Sequence, residues 1–142
     1  MATTPKHSVS VAGIVVRDDD RVLVIKRDDN GRWEAPGGIL ELDESFESGV
    51  QREVLEETGL EVVVERLTGV YKNLTHGIVA LVYRCRPAGG AAHPTAEACE
   101  VLWMTTEQVQ SAMSPAFAVR VSDALDEGVH SRAHDGVNLV SG

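Results

Sequence analysis

Three glutamates, Glu53, Glu56 and Glu57, stand at i, i+3 and i+4 between two glycine breaks, and this spacing constrains the fold most. On a helix these positions share one side, so three negative charges lie within reach of each other. A chain tolerates that when a cation sits among them or when water screens them fully. The break before them is Pro36-Gly37-Gly38, and the one after is Gly59. The intervening stretch predicts a helix from about Glu44 to Thr58, with Gly59 in the left-handed position that ends it. Phe46, Val50 and Val54 fall on one i, i+4 row and form the expected packing stripe. Glu53 and Glu57 border that stripe, so part of the acidic side is expected to meet the Gly37–Gly38 turn rather than open solvent.

Two strands are expected before this helix and several elements after it. Ser8 to Val16 is rich in β-branched residues, and Arg21 to Arg27 reads as a second strand pairing back on it. The Asp18–Asp20 run marks the turn between them. Asp28-Asp29-Asn30-Gly31 is a second turn cluster, with none of the spacing of a calcium-binding loop. Glu61–Tyr71 and Gly77–Arg86 read as strands, Pro87–Pro94 as a loop, and Cys99–Met104 as a short strand ending near Trp103. Thr105–Met113 reads as a helix capped by Thr105 or Thr106. Pro115–Glu127 reads as another, with proline in its first turn. The tail, residues 128–142, reads as loop-like, with Val137, Leu139 and Val140 able to dock as an extended end. The expectation is one domain over residues 1–142, with a short flexible N-terminus over 1–7.

Charge narrows the partners. The net charge is −9, and seven of the 22 acidic residues lie between Gly38 and Leu60 against one base, Arg52. Such a chain gains little along a phosphate backbone, so long nucleic acid is not an expected partner. A small phosphorylated ligand is compatible, because a bound divalent ion reverses the local sign. No apolar run approaches the ~18 residues of a membrane span, and no secretory pattern is evident. The expected setting is cytoplasmic, with Cys85 and Cys99 as reduced, partly buried residues rather than a disulfide.

Gly38, Glu44, Arg52, Glu53, Val54, Glu56, Glu57, Gly59 and Leu60 stand at the spacings G-x5-E-x7-R-E-U-x-E-E-x-G-U, with U a bulky aliphatic residue. This run resembles the Nudix box at every defined position. The resemblance implies a Nudix-type α/β/α sandwich with a mixed β-sheet flanked by helices. It implies a hydrolase, a pyrophosphatase acting on a nucleoside diphosphate linked to another moiety, with Mg²⁺ or Mn²⁺ as cofactor. By position it assigns Glu53, Glu56 and Glu57 as magnesium ligands, with Gly38 as a carbonyl donor. Glu44 and Gly59 become structural residues of the box. One of the glutamates, or a residue outside the box, would be the general base.

Physical chemistry fits these roles. Magnesium prefers oxygen ligands and commonly takes one or two carboxylates plus substrate phosphates and water. Arg52 can pair with Glu56 along the helix and reads as a group that orients a ligand carboxylate, so it is counted with the catalytic set. Outside the box, Arg27 follows the second strand where relatives often carry a phosphate-binding base. Glu97 and Glu100 precede Trp103 in an arrangement seen in many relatives, and Glu97 is the candidate for a further metal contact or for the base. Trp33 and Tyr71 are candidates to stack on a base, and both fit ordinary packing equally. Lys72, Lys26 and Arg32 are weaker phosphate candidates. Gly49 departs from the small helix formers relatives often have there, and its missing side chain suits a close neighbour.

Candidate substrates are nucleoside triphosphates, nucleotide sugars and dinucleotides. The alternatives are a catalytically idle ligand sensor of the same fold and an RNA cap hydrolase. A homodimer is compatible with family habit and with the apolar C-terminal segments.

Overall fold

The computed structural model describes residues 3–141. Its first strand, β1 (Ser8–Val15), and second, β2 (Val22–Arg27), do not form a hairpin with each other. Apart from the single bridge Val16–Val22, they belong to different sheets. The reason lies in their side chains. Val11 to Val16 and Val22 to Ile25 are buried at every position, so each strand needs cover on both sides. A two-stranded hairpin cannot supply that.

The larger sheet has six strands. In order they are β4 (Gly37–Ile39), β1, β6 (Ile78–Gly89), β5 (Glu61–Asn73), β8 (His130–His134) and β9 (Leu139–Val140). It is mixed: β1 runs parallel to β6 and β5 parallel to β8, while the other pairs are antiparallel. The smaller sheet has three strands, β3 (Trp33–Glu34), β2 and β7 (Ala98–Met104), all antiparallel. Helix α1 (Phe46–Thr58) packs on β1 and β5. Helices α2 (Thr106–Ala112) and α3 (Pro115–Leu125) pack on each other, and α3 lies against β5, β1 and β6.

The alternation of β1 divides the core. Val11 and Val15 join Val50, Val54 and Cys85 under α1, while Ala12, Ile14 and Val16 join Tyr71, Val82, Ala118 and Val121 under α3. A sheet sandwiched between helix layers follows, which is the α/β class expected.

Several boundaries differ from the sequence reading. Helix α1 starts at Phe46, with Ser45 as its cap, Oγ accepting from Ser48 N–H. Phe46 is consequently outside the packing stripe and 41% exposed, while Val50 and Val54 are fully buried. Strand β6 runs on to Gly89, through the first part of the expected loop. The tail is not loop-like over its length. His130–His134 adds to the sheet beside β5, and Leu139–Val140 pairs back on it. Arg66 on β5 donates to the carbonyls of Ala124, Asp126 and Gly128 and so fastens the connection between α3 and β8.

Residues 3–7 carry no regular secondary structure. Positions 1, 2 and 142, which share in the expectations for the two ends, lie outside the described residues. Both cysteines are free, Cys85 buried and Cys99 exposed, so Cys99 is less covered than expected. Thr105 makes a full capping box with Gln108, and Pro115 opens α3.

Candidate active site

Gly37 and Gly38, expected as a break in regular structure, lie instead in the edge strand β4, and there α1 meets the sheet. Gly37 pairs with Ala12 and Gly38 with Val11, so β4 is fixed to the middle of β1. A side chain at Gly37 would collide with the Val11 carbonyl. The bare backbone lets α1 come close, and two glutamates use the approach. Glu57 Oε1 accepts from Gly37 N–H at 2.7 Å. The Glu53 carboxyl lies 2.7 Å from where a Gly38 Cβ would stand. Glu53 and Glu57 are 8% and 4% exposed, whereas Glu56 remains in solvent. The acidic side of α1 is therefore split, two carboxylates under the Gly37–Gly38 backbone and one outside.

Gly59 ends the helix with φ of 78° and its N–H on Leu55 O, as its position predicts. His93 packs on it, so a side chain there would clash as well as strain. Gly49 faces Leu40, whose Cδ1 would sit 2.6 Å from an added Cβ, which accounts for the missing side chain.

Arg52 organises the carboxylates. Its strongest partner is Glu44 rather than Glu56, with Nη2 at 2.6 Å from Oε1 and Nε at 2.9 Å from Oε2. Nη1 reaches Glu53 Oε1 at 2.9 Å and Glu56 Oε2 at 3.3 Å, and Nη2 also donates to Ile39 O. Arg52 and the Glu41 N–H hold Glu44 down to about 2. Glu44 thereby ties the loop before α1 to the helix.

Glu53 and Glu57 move the other way. Burial, before any other cause, raises both carboxyls, and Glu57 is pushed up to about 8. The Gly37 N–H opposes this at Glu57, while the charges of Glu53 and Glu97 add to it. Such a pair is expensive to keep ionised without a cation.

Glu53 and Glu57 line a cleft of about 700 Å³ with Glu97, Arg27, Arg52, Gly38 and Asp28. Arg27 is engaged there by both oxygens of Asp29 and by Glu34 Oε1 at 3.0 Å. Glu100 is turned away, paired with Lys26 at 3.4 Å. Lys72 is not brought to the cleft, since it lies on a separate surface with Arg132, Leu139 and Val140. Trp33 is half-buried against the core, with the Lys26 ammonium 6.0 Å from its ring centre. Tyr71 is fully buried, and its hydroxyl donates to Asp123 Oδ2 at 2.7 Å.

A second cavity, of about 190 Å³, adjoins the cleft and shares Ser10, Arg27, Gly37 and Gly38 with it. Arg120, Phe117 and His134 line it, and the sequence reading gave none of these a role. Arg120 did leave a signal. It lies four residues from both Ala116 and Ala124, on the row of α3 that faces the core.

The donor set suits a hard divalent ion. Buried carboxylates have little else to neutralise them, and the cleft opens beside the Gly37–Gly38 backbone. Among the described residues, no three acidic, histidine or cysteine side chains converge enough to hold an ion alone. That agrees with an ion completed by water and ligand phosphates.

Comparison with known proteins decides the family. The profile of the NUDIX domain matches residues 6–125. The chain belongs to the Nudix family. A MutT-like protein of Streptomyces ambofaciens is 58% identical to this Nudix hydrolase over 137 residues, 96% of this chain and 89% of that protein. An ADP-ribose pyrophosphatase of Methanocaldococcus jannaschii is 44% identical over 69 residues, 46% of this chain and 40% of that protein. A Nudix hydrolase from Nitrosomonas europaea has the same fold, with a TM-score of 0.79 at 20% identity over 93% of this chain and 82% of the other. Members generally use divalent metals and act on small nucleotides. None of the helices among the described residues is long and apolar enough to cross a membrane.

Proposed function

We propose that this Nudix hydrolase cleaves a phosphoanhydride bond in a nucleoside diphosphate linked to another moiety, by attack of water and with Mg²⁺ as the working ion. The observation that carries this reading is the pair Glu53 and Glu57, buried under the Gly37–Gly38 backbone at the edge of a cleft, Glu53 bonded to Arg52 and Glu57 held by the Gly37 N–H. Their buried charge is balanced only when a cation and a ligand arrive together. The names of the relatives, MutT-like protein and ADP-ribose pyrophosphatase, agree with this substrate class.

Glu53, Glu57 and the outer Glu56 would hold the ion, with the Gly38 carbonyl beside them. When bound, a divalent ion neutralises pyrophosphate charge and lowers the pKa of a coordinated water. Arg52 holds Glu53 in place through Nη1 while Glu44 anchors its other edge. The Gly37 N–H fixes Glu57 through Oε1 and leaves Oε2 free. Glu97 lies across the cleft with its carboxylate free of hydrogen bonds among the described residues, and we assign it the proton from the attacking water. Arg27 offers the leaving phosphate a guanidinium, traded from Asp29. Most of the rate enhancement would come from positioning and charge stabilisation.

The test is product analysis over nucleoside triphosphates, nucleotide sugars and dinucleotides, with Mg²⁺ or chelator, for wild type and Glu57→Gln. Metal-dependent cleavage that the variant loses is expected. Cleavage that survives chelation, or a folded wild type that cleaves nothing on the panel, would overturn the proposal.

A further inference from the structure

The second cavity carries a charge that the protein does not balance. Arg120 is 8% exposed, and its guanidinium lies between two aromatic rings, 4.9 Å from the centre of Tyr71 and 4.6 Å from that of Phe117. Its Nε has no hydrogen-bond partner. Among the described residues, no oxygen accepts a hydrogen bond from any of its nitrogens. The nearest polar atom is His134 Nε2, 3.5 Å from Nη2. That contact is not a hydrogen bond. Gly136 N–H donates to His134 Nδ1 at 3.0 Å, so the neutral ring carries its proton on Nε2. Two donors therefore face each other. A buried polar group without a partner is costly, and more so when charged.

The other polar groups add to the imbalance. Asn73 Oδ1 accepts from Thr75 and His76 N–H, which leaves its NH₂ as the free end. The Tyr71 hydroxyl is spent on Asp123. Glu34 is the one carboxylate lining the cavity, and it is partly used by Arg27. Donors outnumber acceptors. Ala12, Ala35, Ile78 and Ala80 add apolar wall, and Ser10, Arg27, Gly37 and Gly38 lie on the side shared with the cleft.

Size and charge choose the occupant. Whole-ligand pockets usually run to ~300 Å³ or more, so a cavity of about 190 Å³ holds one ring system. A phosphate would face the Glu34 carboxylate and lose all its water against apolar walls. A neutral heteroaromatic ring stacks on the walls and brings acceptors in its plane. Guanine and hypoxanthine carry O6 and N7 side by side, two acceptors that match an arginine fork. Adenine places a donor amino group beside N7.

We propose that Arg120, seconded by His134, is the specificity-determining residue of this enzyme and makes the cavity select keto purines over amino purines. The proposal rests on the nucleotide reading of the neighbouring cleft. The shared edge at Ser10, Gly37 and Gly38 places a base in this cavity with its phosphates toward Glu53 and Glu57.

The test is calorimetric titration of the intact protein with GMP, IMP and AMP in the presence of Mg²⁺. None of the three contains a phosphoanhydride, so catalysis does not enter. GMP and IMP are expected to bind at least ~10-fold tighter than AMP, the lower range of one bidentate contact. IMP controls for the 2-amino group. Arg120→Met, which removes the fork while keeping an unbranched side chain, is expected to bring the three within ~3-fold. Arg120→Lys keeps a point charge without the fork and should lose most of the ratio too, which decides the matter if the Met variant does not fold. AMP binding as tightly as GMP, an unchanged ratio in the variants, or no binding of any of the three would overturn the assignment. Inorganic phosphate binding that disappears with Arg120 would overturn it in favour of an anion site. A keto preference in binding without turnover of any nucleotide would keep this inference and sink the hydrolase reading. Turnover without base preference would do the reverse.

Discussion

Glu57→Gln should stabilise this protein while abolishing its activity. Gln keeps the carbonyl oxygen that accepts from Gly37 N–H, so the 2.7 Å bond survives. What disappears is a carboxylate that burial pushes from the ordinary 4.5 up to about 8. In the metal-free protein the folded state then binds more protons than the unfolded chain between those two values. Stability accordingly falls as pH rises through that window. The full displacement sets a ceiling of about 5 kcal/mol. Water entry and side-chain relaxation reduce it, and on the order of 2 kcal/mol is a reasonable yield. For a chain of this size that corresponds to about 4–8 °C in Tm.

The assay is thermal denaturation in EDTA across pH, for wild type and variant. The two should coincide near pH 4, below the unfolded value, and the variant should lead by the full margin above pH 8. Excess Mg²⁺ should then close the gap by stabilising the wild type, by about 2.7 kcal/mol at a hundred times Kd. A Gln variant no more stable than wild type at pH 8.5 in EDTA would refute the reasoning. So would a gain that is the same at pH 4, because a packing effect has no reason to titrate.

Three further outcomes follow from single contacts. Gly38→Ala puts a Cβ against the Glu53 carboxyl and should weaken Mg²⁺ binding about 10–100-fold in a thermal-shift titration. Arg52→Lys cannot keep the two-pronged contact with Glu44 and should cost about 1.5–3 kcal/mol in urea unfolding, with a lower kcat. Thr105→Ala removes the capping box of α2 and should cost about 1 kcal/mol while leaving turnover unchanged.

The parts of the site that were legible in the sequence are those built from neighbours along the chain. The i, i+3, i+4 spacing of Glu53, Glu56 and Glu57 needs only the helix period, and Gly59 needs only its own left-handed φ. Burial of two of those glutamates followed from where Val50 and Val54 stand on the same helix. Pairing between distant segments was not legible. Their β-branched and apolar residues told that β1 and β2 are strands, but not that each needs cover on both sides and so joins a different sheet. The tail strand β8 depends on β5, from which it is far in sequence, and its own residues carry little strand preference. The sequence hides Asp123, the partner on α3 that holds the Tyr71 hydroxyl, while the Tyr71 ring lines the second cavity. Arg120 lies on the core-facing row of α3 with Ala116 and Ala124, but a charge there reads as solvent-facing until the helix is docked.

The two candidate sites make one physical argument. On one side of the Gly37–Gly38 backbone stand buried carboxylates short of a cation. On the other stands a buried guanidinium short of an acceptor. They do not neutralise each other, because β4 and β1 hold them apart. A hydrophobic core with the same shape would be more stable than either, so the fold keeps two local instabilities of opposite sign within one continuous groove. A nucleotide with its divalent ion would relieve both, phosphate and metal at the acidic end and a keto base at the basic end. Both ends share Ser10, Gly37 and Gly38, and base and metal are expected to bind with positive coupling.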